Sequence, residues 1–517
     1  MSNAVRIKEL NDKITALEKE NTTLKETIAY LTRKLYGRSS ETSKNLNIQG
    51  QMSLFDEAEQ EQNIKAKEPT LEEVESYLRN RKYNGQRKEK LANLPHEKRI
   101  IPMHPEDKFC IECGNELKLI GEEFVRTEVE YIPATLRVID YYREVYECRK
   151  CRKNGASHIE KSPMVDPVIP HSYASATSVA YVMYQKFVNA LPLYRLEKEW
   201  KNLGLNLSRA TMANWIMIAS KEWLNPIVEE MHRILLKEKY LHADETTVQV
   251  MKEAGRKNTT KSYMWVYGSY RESKTPIRIF EYRPTRSGEN ADKYLKGFKG
   301  YLISDAYQGY NKVEGVTRCY CWAHLRRYFV DAMPEDVKET TASQQAIERI
   351  GQLFKIEEEI VNKSAEERLK IRKEKSTELV DEFFVWIEEN QNKYVSKSKI
   401  GKAFTYAMNQ KEGLMRYLED GNIEMSNNLA ERAIRPFTVG RKNWLFSGSP
   451  KGAKASATVY SIVETAKANN LDPYKYLTYI FKSLPGVDLK EYPEFINYLL
   501  PWDEQVQAIC GFVNKSV

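Results

Sequence analysis

No stretch of this 517-residue chain is apolar and uncharged for long enough to span a bilayer, which excludes an ordinary helical membrane protein. The start, MSNAVRIKEL, carries charges where a secretory signal needs its apolar stretch, so the cytoplasm is the expected compartment. A GxxxxGKS-type phosphate loop is also missing, and nucleotide hydrolysis is accordingly not indicated. Cysteine is scarce, with seven in the whole chain, and four of these form two CxxC pairs, Cys110 with Cys113 and Cys148 with Cys151. In a reducing compartment such usage argues for metal rather than disulfides. Cys319, Cys321 and Cys510 stand apart.

What is present fits a soluble, multidomain protein. Hydrophobic residues make up 41%, aromatic residues 11% and charged residues 29%, and the length calls for two to four domains. The net charge of +8 is modest, but Lys and Arg cluster in ECRKCRKNGASHIEK and RPFTVGRKNWLFSGSPKGAK. Clusters of this kind suit a polyanion, because neutralising phosphates releases counterions.

From Ile7 to Leu35 the apolar residues follow a heptad. Ile7, Ile14, Asn21, Ile28 and Leu35 take position a, and Leu10, Leu17, Leu24 and Leu31 take position d, a pattern that favours a parallel two-stranded coil. Homo-oligomerisation through these residues is expected, with other contacts assisting so short a coil. The pattern predicts a zipper at 1–37, a linker at 38–95 and a zinc-binding domain at 96–165. Next come a helical, helix-turn-helix-like segment at 166–238 and the first part of a catalytic core at 239–332. A helical insertion at 333–420, the last part of the core at 421–485 and a tail at 486–517 complete the chain.

Between the cysteine pairs, alternating apolar residues as in FVRTEVEYIPATLRVIDYYREVYEC predict a small β-rich knob. Four thiolates at knuckle spacing suit a closed, structural Zn2+. In GLNLSRATMANWI, Gly204 fits a turn, Ser208 a helix cap, and Arg209 and Asn214 a DNA-facing side. From Leu241 the period changes to that of strands: YLHADETTVQV, SYMWVYGSYR and PIRIFEYRP, then a helix, then GYLISDAY and TRCYCWAHL. That order matches a ribonuclease-H-like core, and the fold class expected overall is multidomain α+β.

Two-metal phosphodiester chemistry needs carboxylates that converge on one point. Asp244 in the first strand and Asp305 at the end of the fourth would be neighbours in such a sheet, and Glu431 on the helix of NNLAERAIRPF supplies a third. Asn427 and Asn428 would open that helix. Glu245 ranks as a decoy, since alternation points it away from Asp244. His324 is a candidate phosphate contact, while Trp322 and Trp444 fit core packing better than base stacking. Candidate DNA contacts are Arg209, Asn214, Arg326, Arg327, Arg432, Arg435, Arg441, Lys442 and Lys451.

The run NNLAERAIRPFTVGRKNWLFSGSPKGAKASATVYSIVETAKANNLDPYKYL, with LHADETTVQV, SDAYQGYN, CWAHLRRYF and KLYGRSSE, resembles the transposases of the insertion sequence 66 family. The resemblance implies a bacterial, nucleoid-associated DDE transposase. It would use catalytic Mg2+ (or Mn2+) held by Asp244, Asp305 and Glu431, and structural Zn2+ held by Cys110, Cys113, Cys148 and Cys151. It further implies that the enzyme binds element terminal repeats and target DNA and cuts and transfers strands, with accessory proteins of the same element as candidate partners. The alternative is a dimeric, zinc-containing regulatory DNA-binding protein with an inactive nuclease-like core. A nuclease that cuts without joining is a third reading.

Overall fold

The computed structural model describes residues 134–147, 159–334 and 341–512, together with Lys98, Ile100 and Asn115. The zipper residues and the four cysteines of the CxxC pairs lie outside the described residues. The elements below belong to one compact unit that includes Leu136–Val517.

Strand β1 (Val145–Glu147) pairs antiparallel with β2 (Ile159–Lys161). The residues before it, 134–144, form no ladder despite their alternating pattern, and Val138 and Tyr142 are 88% and 90% exposed. Alternation forms a strand only when one face can be buried.

Four helices follow: α1 (Ala176–Phe187), α2 (Leu193–Asn202), α3 (Arg209–Ala219) and α4 (Asn225–Leu235). Helix α2 ends at Gly204, with φ +94, where the Gly204 N–H donates to Lys201 O at 3.1 Å and the Leu205 N–H to Trp200 O at 2.9 Å. This is a Schellman ending, and it needs the left-handed backbone that glycine tolerates. Ser208 then caps α3, accepting from the Thr211 N–H at 3.2 Å.

The sheet comprises β3 (Tyr240–Gln249), β4 (Lys261–Ser269), β5 (Arg278–Arg283), β6 (Tyr301–Ser304) and β7 (Thr317–Tyr320), with helix α5 (Gly288–Tyr294) before β6 and α6 (Trp322–Asp331) after β7. Its order is β5-β4-β3-β6-β7. Strand β4 runs antiparallel to both β5 and β3, whereas β6 runs parallel to β3 and β7 parallel to β6. The fold is thus mixed α/β, and each of the five segments from Leu241 onward read as a strand from its period forms one.

Between α6 and the last part of the chain stand α7 (Ala342–Glu359), α8 (Ala365–Ile371), α9 (Thr377–Gln391), α10 (Lys399–Asn409) and α11 (Lys411–Met415). These helices enclose a separate apolar core around Trp322, Phe329, Phe383 and Phe404, to which the sheet contributes Tyr240 and Ile303. Leu241, Ala243 and Leu302, one residue along each strand, join the larger core with α1–α4. The twofold period of strands sends alternate side chains to the two cores. Buried Arg372 ties the insertion to the segment that follows it, donating to the carbonyls of Tyr417, Asp420 and Ile423 at 2.9–3.0 Å and to Glu357 at 2.7–2.8 Å.

The chain then returns through α12 (Asn428–Trp444), α13 (Pro450–Ala468), α14 (Pro473–Ser483) and α15 (Glu504–Cys510). Helix α13 covers the free edge of β5. Ser461 Oγ accepts from the Phe280 N–H at 2.8 Å, and Thr465 Oγ1 from the Arg278 N–H at 3.0 Å. Four residues of helix rise about 6 Å and two residues of strand about 6.6 Å, so hydroxyls at i and i+4 meet successive outward amides. The edge is thereby closed to strand addition. Ser461→Ala should leave the buried Phe280 N–H unpaired and cost about 1–3 kcal/mol in urea unfolding; a cost near zero would show that the edge is not held this way.

Candidate functional site

Parallel pairing sets the site. Tyr240 faces Tyr301 and His242 faces Ile303, an offset of 61 (301 − 240) that also separates Asp305 from Asp244 (305 − 244). Asp305 lies one residue beyond the end of β6, where a continuation of this offset would set it beside Asp244, and its charge acts on the Asp244 carboxyl.

Glu431 arrives on α12, whose start is latched to β3 through Asn427. That side chain is fully buried. Its Nδ2 donates to Ala243 O at 2.9 Å, its Oδ1 lies 3.0 Å from His242 Nδ1, and its backbone N–H points at Cys321 Sγ at 3.1 Å. Asn427 does occupy the cap position of α12, but its side chain makes no cap bond. It is spent on the neighbouring strand instead, one residue before Asp244. Glu431 itself lies 3.5 Å from His324 Nδ1 and 3.4 Å from Arg327 Nη2, both on α6.

The electrostatics record the crowding. Burial first, then the charges of Glu245, Asp305 and Glu431, push the Asp244 carboxyl well above the usual carboxylate range. The Glu245 N–H donates to Asp244 Oδ1 at 2.8 Å and pulls the other way. His324 is pushed down, chiefly by burial.

Glu245, expected to be a bystander, is an anchor of the site, and its charge is the foremost of those acting on Asp244. Its side chain is only 2% exposed, and it accepts from Arg286 Nε at 2.7 Å and from Tyr310 Oη at 2.6 Å. Arg286 stacks 3.9 Å from the Tyr307 ring centroid and reaches Asp305 Oδ2 at 3.8 Å. Arg318 grips the turn after β6: it donates to Asp305 O at 2.7 Å, Ser304 Oγ at 2.8 Å and Asn311 Oδ1 at 2.8 Å. The Tyr307 N–H caps the turn on Asp305 Oδ1 at 3.0 Å. Gly288 and Gly309 pack backbone to backbone beside this turn, where a Cβ on Gly288 would strike the Gly309 carbonyl. Sequence reasoning missed Arg286, Arg318 and Tyr310, and named Asn427 only as the start of a helix; an Arg within the strand TRCY was the one local hint of an unusual cation.

The remaining candidates fall into two groups. Arg209, Asn214, Arg327, Arg432, Lys442 and Lys451 are exposed. Arg326, Arg435 and Arg441 are half-buried. Arg441 donates to Thr246 Oγ1 at 3.1 Å and to the Thr247 carbonyl, so it binds α12 to β3. Arg209 and Asn214 stand on α3, away from the acids in sequence and in element. Trp322 is fully buried and donates to Leu414 O at 2.8 Å, and Trp444 packs edge-on to Phe437 at 5.5 Å, so both serve packing.

The family described as "Transposase IS66 family" matches residues 171–455. The "zinc-finger binding domain of transposase IS66" matches residues 107–152, the "IS66 C-terminal element" residues 461–502, and "Transposase C of IS166 homeodomain" residues 23–99. Among curated proteins, y4hP of Sinorhizobium fredii (strain NBRC 101917 / NGR234) is 28% identical over 504 residues, covering 92% of this chain and 87% of its own length. Protein y4qI of the same strain is 31% identical over 416 residues, 77% of this chain and 74% of its own. Protein y4jD is 26% identical over 529 residues, 98% of this chain and 99% of its own. No solved structure matches. With more than half of its length matched by the family description, and with acids, latch and clamps standing inside the matched region, the chain belongs to the transposase IS66 family.

Proposed function

We propose that this transposase binds the ends of its own mobile element and cuts and rejoins DNA with Asp244, Asp305 and Glu431 as the acidic triad of a ribonuclease-H-like core. The observation that carries the reading is the raised Asp244 carboxyl, on which Asp305 and Glu431 both act although they come from different elements. The strand order β5-β4-β3-β6-β7, with one antiparallel and one parallel half, supports the fold. Crowded acids on a half-buried surface repel one another and cost stability, so they persist where a cation is required. The regulatory alternative does not need this crowding, and no observation favours it.

The donor set suits a hard divalent ion. It is built of carboxylate oxygens, and Glu431 Oε1 is buried with no hydrogen-bond partner. Asp244, Asp305 and Glu431 would hold Mg2+ or Mn2+, which when bound activates the attacking oxygen and stabilises the leaving one. The protein's own part is positional. Asn427 fixes the start of α12, His324 and Arg327 aim Glu431, and Arg286 and Arg318 fix the turn at Asp305. Arg432, Lys442 and Lys451 would neutralise backbone phosphates, and Arg209 and Asn214 on α3 would read element DNA. Cys110, Cys113, Cys148 and Cys151 would hold structural Zn2+ in the zinc-finger region, and the heptad at Ile7–Leu35 would pair two chains.

Two experiments test this reading. Asp244→Asn, Asp305→Asn and Glu431→Gln should each reduce Mg2+-dependent 3′-end cleavage and strand transfer on an element-end DNA by about 100-fold or more, the several kcal/mol at stake when a metal loses a ligand. Retained activity in any one of them removes that residue from the triad. Separately, an acid whose folded pKa is raised destabilises the fold as pH climbs from the ordinary carboxylate range through that raised value. The metal-free wild type should therefore lose stability over this range, and Asp244→Asn should abolish the loss. At neutral pH, Asp244→Asn should melt higher than the metal-free wild type, by about 2–4 °C for each kcal/mol of repulsion relieved. A lower melting temperature would show that the Asp244 charge is not under strain.

A further inference from the structure

Beside the oxygen-only acids stands a second, chemically different cluster. Cys321 Sγ and single donor atoms of His324 and Glu431 all lie within 4.8 Å of one another. Cys321 is the N-cap of α6, and His324 follows three residues later in its first turn, so the two side chains share one side of the helix start. Helix α12 brings Glu431 against them. His324 Nδ1 and Glu431 Oε1 are 3.5 Å apart, and both are buried with no hydrogen-bond partner. Orphaned polar atoms of this kind destabilise a fold, and one shared cation would satisfy both. The sulfur is held in place, the Asn427 N–H donating to it at 3.1 Å.

Sulfur, imidazole and carboxylate together disfavour Mg2+, which wants oxygen ligands in an octahedron, and suit tetrahedral Zn2+. We propose that Cys321, His324 and Glu431 form a three-ligand site for a zinc-class ion, with a fourth position left for water. Burial holds the free Cys321 thiol protonated, so binding displaces one proton for each ion taken up. Glu431 is common to both clusters. An ion on the Cys-His-Glu site therefore withdraws Glu431 from Asp244 and Asp305 and antagonises the Mg2+-dependent reaction, a consequence that rests on the triad reading above.

The test uses the full-length chain, stripped of metal and titrated with Co2+ and with Zn2+. Bound metal is counted per chain, and thiolate-to-cobalt charge-transfer absorption is followed. The wild type should take up one equivalent more than Cys321→Ser or His324→Ala, and the variants should lose part of the charge-transfer band. Metal held by the two CxxC pairs is the same in every protein and cancels in the difference. Far-UV circular dichroism verifies folding, and Glu431→Gln, which leaves the buried sulfur untouched, should lose the same equivalent. Equal uptake and identical spectra in all four proteins overturn the site. Loss of the equivalent together with unimpaired DNA cleavage by Glu431→Gln leaves the zinc site standing and overturns the triad reading instead.

Discussion

Like charges held close together in poorly solvated surroundings repel, and the core of this protein is arranged around that repulsion. Asp244 feels Glu245, Asp305 and Glu431 at once, over and above the penalty of its own burial. Left to itself such a cluster would splay apart or stay protonated. It is prevented from splaying by parts that touch the acids only indirectly. The β3–β6 register fixes two of the carriers relative to each other, Asn427 fixes the third to β3, and Arg286 and Arg318 lock the turn that carries Asp305. Stability is surrendered at the acids and recovered in the surrounding hydrogen bonds and apolar cores.

The helical insertion has a place in this balance. Its core rests on Tyr240, Ile303 and Trp322, the residues just before the acids or at the start of α6. Arg372 then secures the carbonyls of Tyr417, Asp420 and Ile423, which lead into Asn427. The insertion thus fixes the approach of α12 to the sheet, and with it the position of Glu431. Of the 125 residues between Asp305 and Glu431 (431 − 305 − 1), most of those described lie in packed helices.

Elements with a strong local period were legible in the sequence: the strands around Asp244 and Asp305, the helices of 170–238 and 333–420, the turn at Gly204 and the cap at Ser208. The neighbourhood of Asp244 and Asp305 followed from strand order, because parallel pairing carries a fixed offset. What remained hidden depends on contacts across long sequence separations. Asn427 reads locally as a helix cap, but its partners lie 184 and 185 positions away. Glu245 reads as a spare acid until Arg286 and Tyr310 fold against it. Cys321 and His324 stood in plain view as C-x-x-H, yet without Glu431 beside them the pair reads as one buried thiol and one isolated histidine. The alternating stretch before Val145 failed in the opposite direction, since its pattern promised strand but residues 134–144 bury no face.

The most direct measurement is anomalous diffraction from crystals of the transposase grown with Mn2+ and an element-end DNA. Manganese peaks coordinated by Asp244, Asp305 and Glu431 are the predicted result. Peaks that leave Glu431 uncoordinated, or no manganese between the two aspartates, would contradict the triad and require another acid or another chemistry for this core.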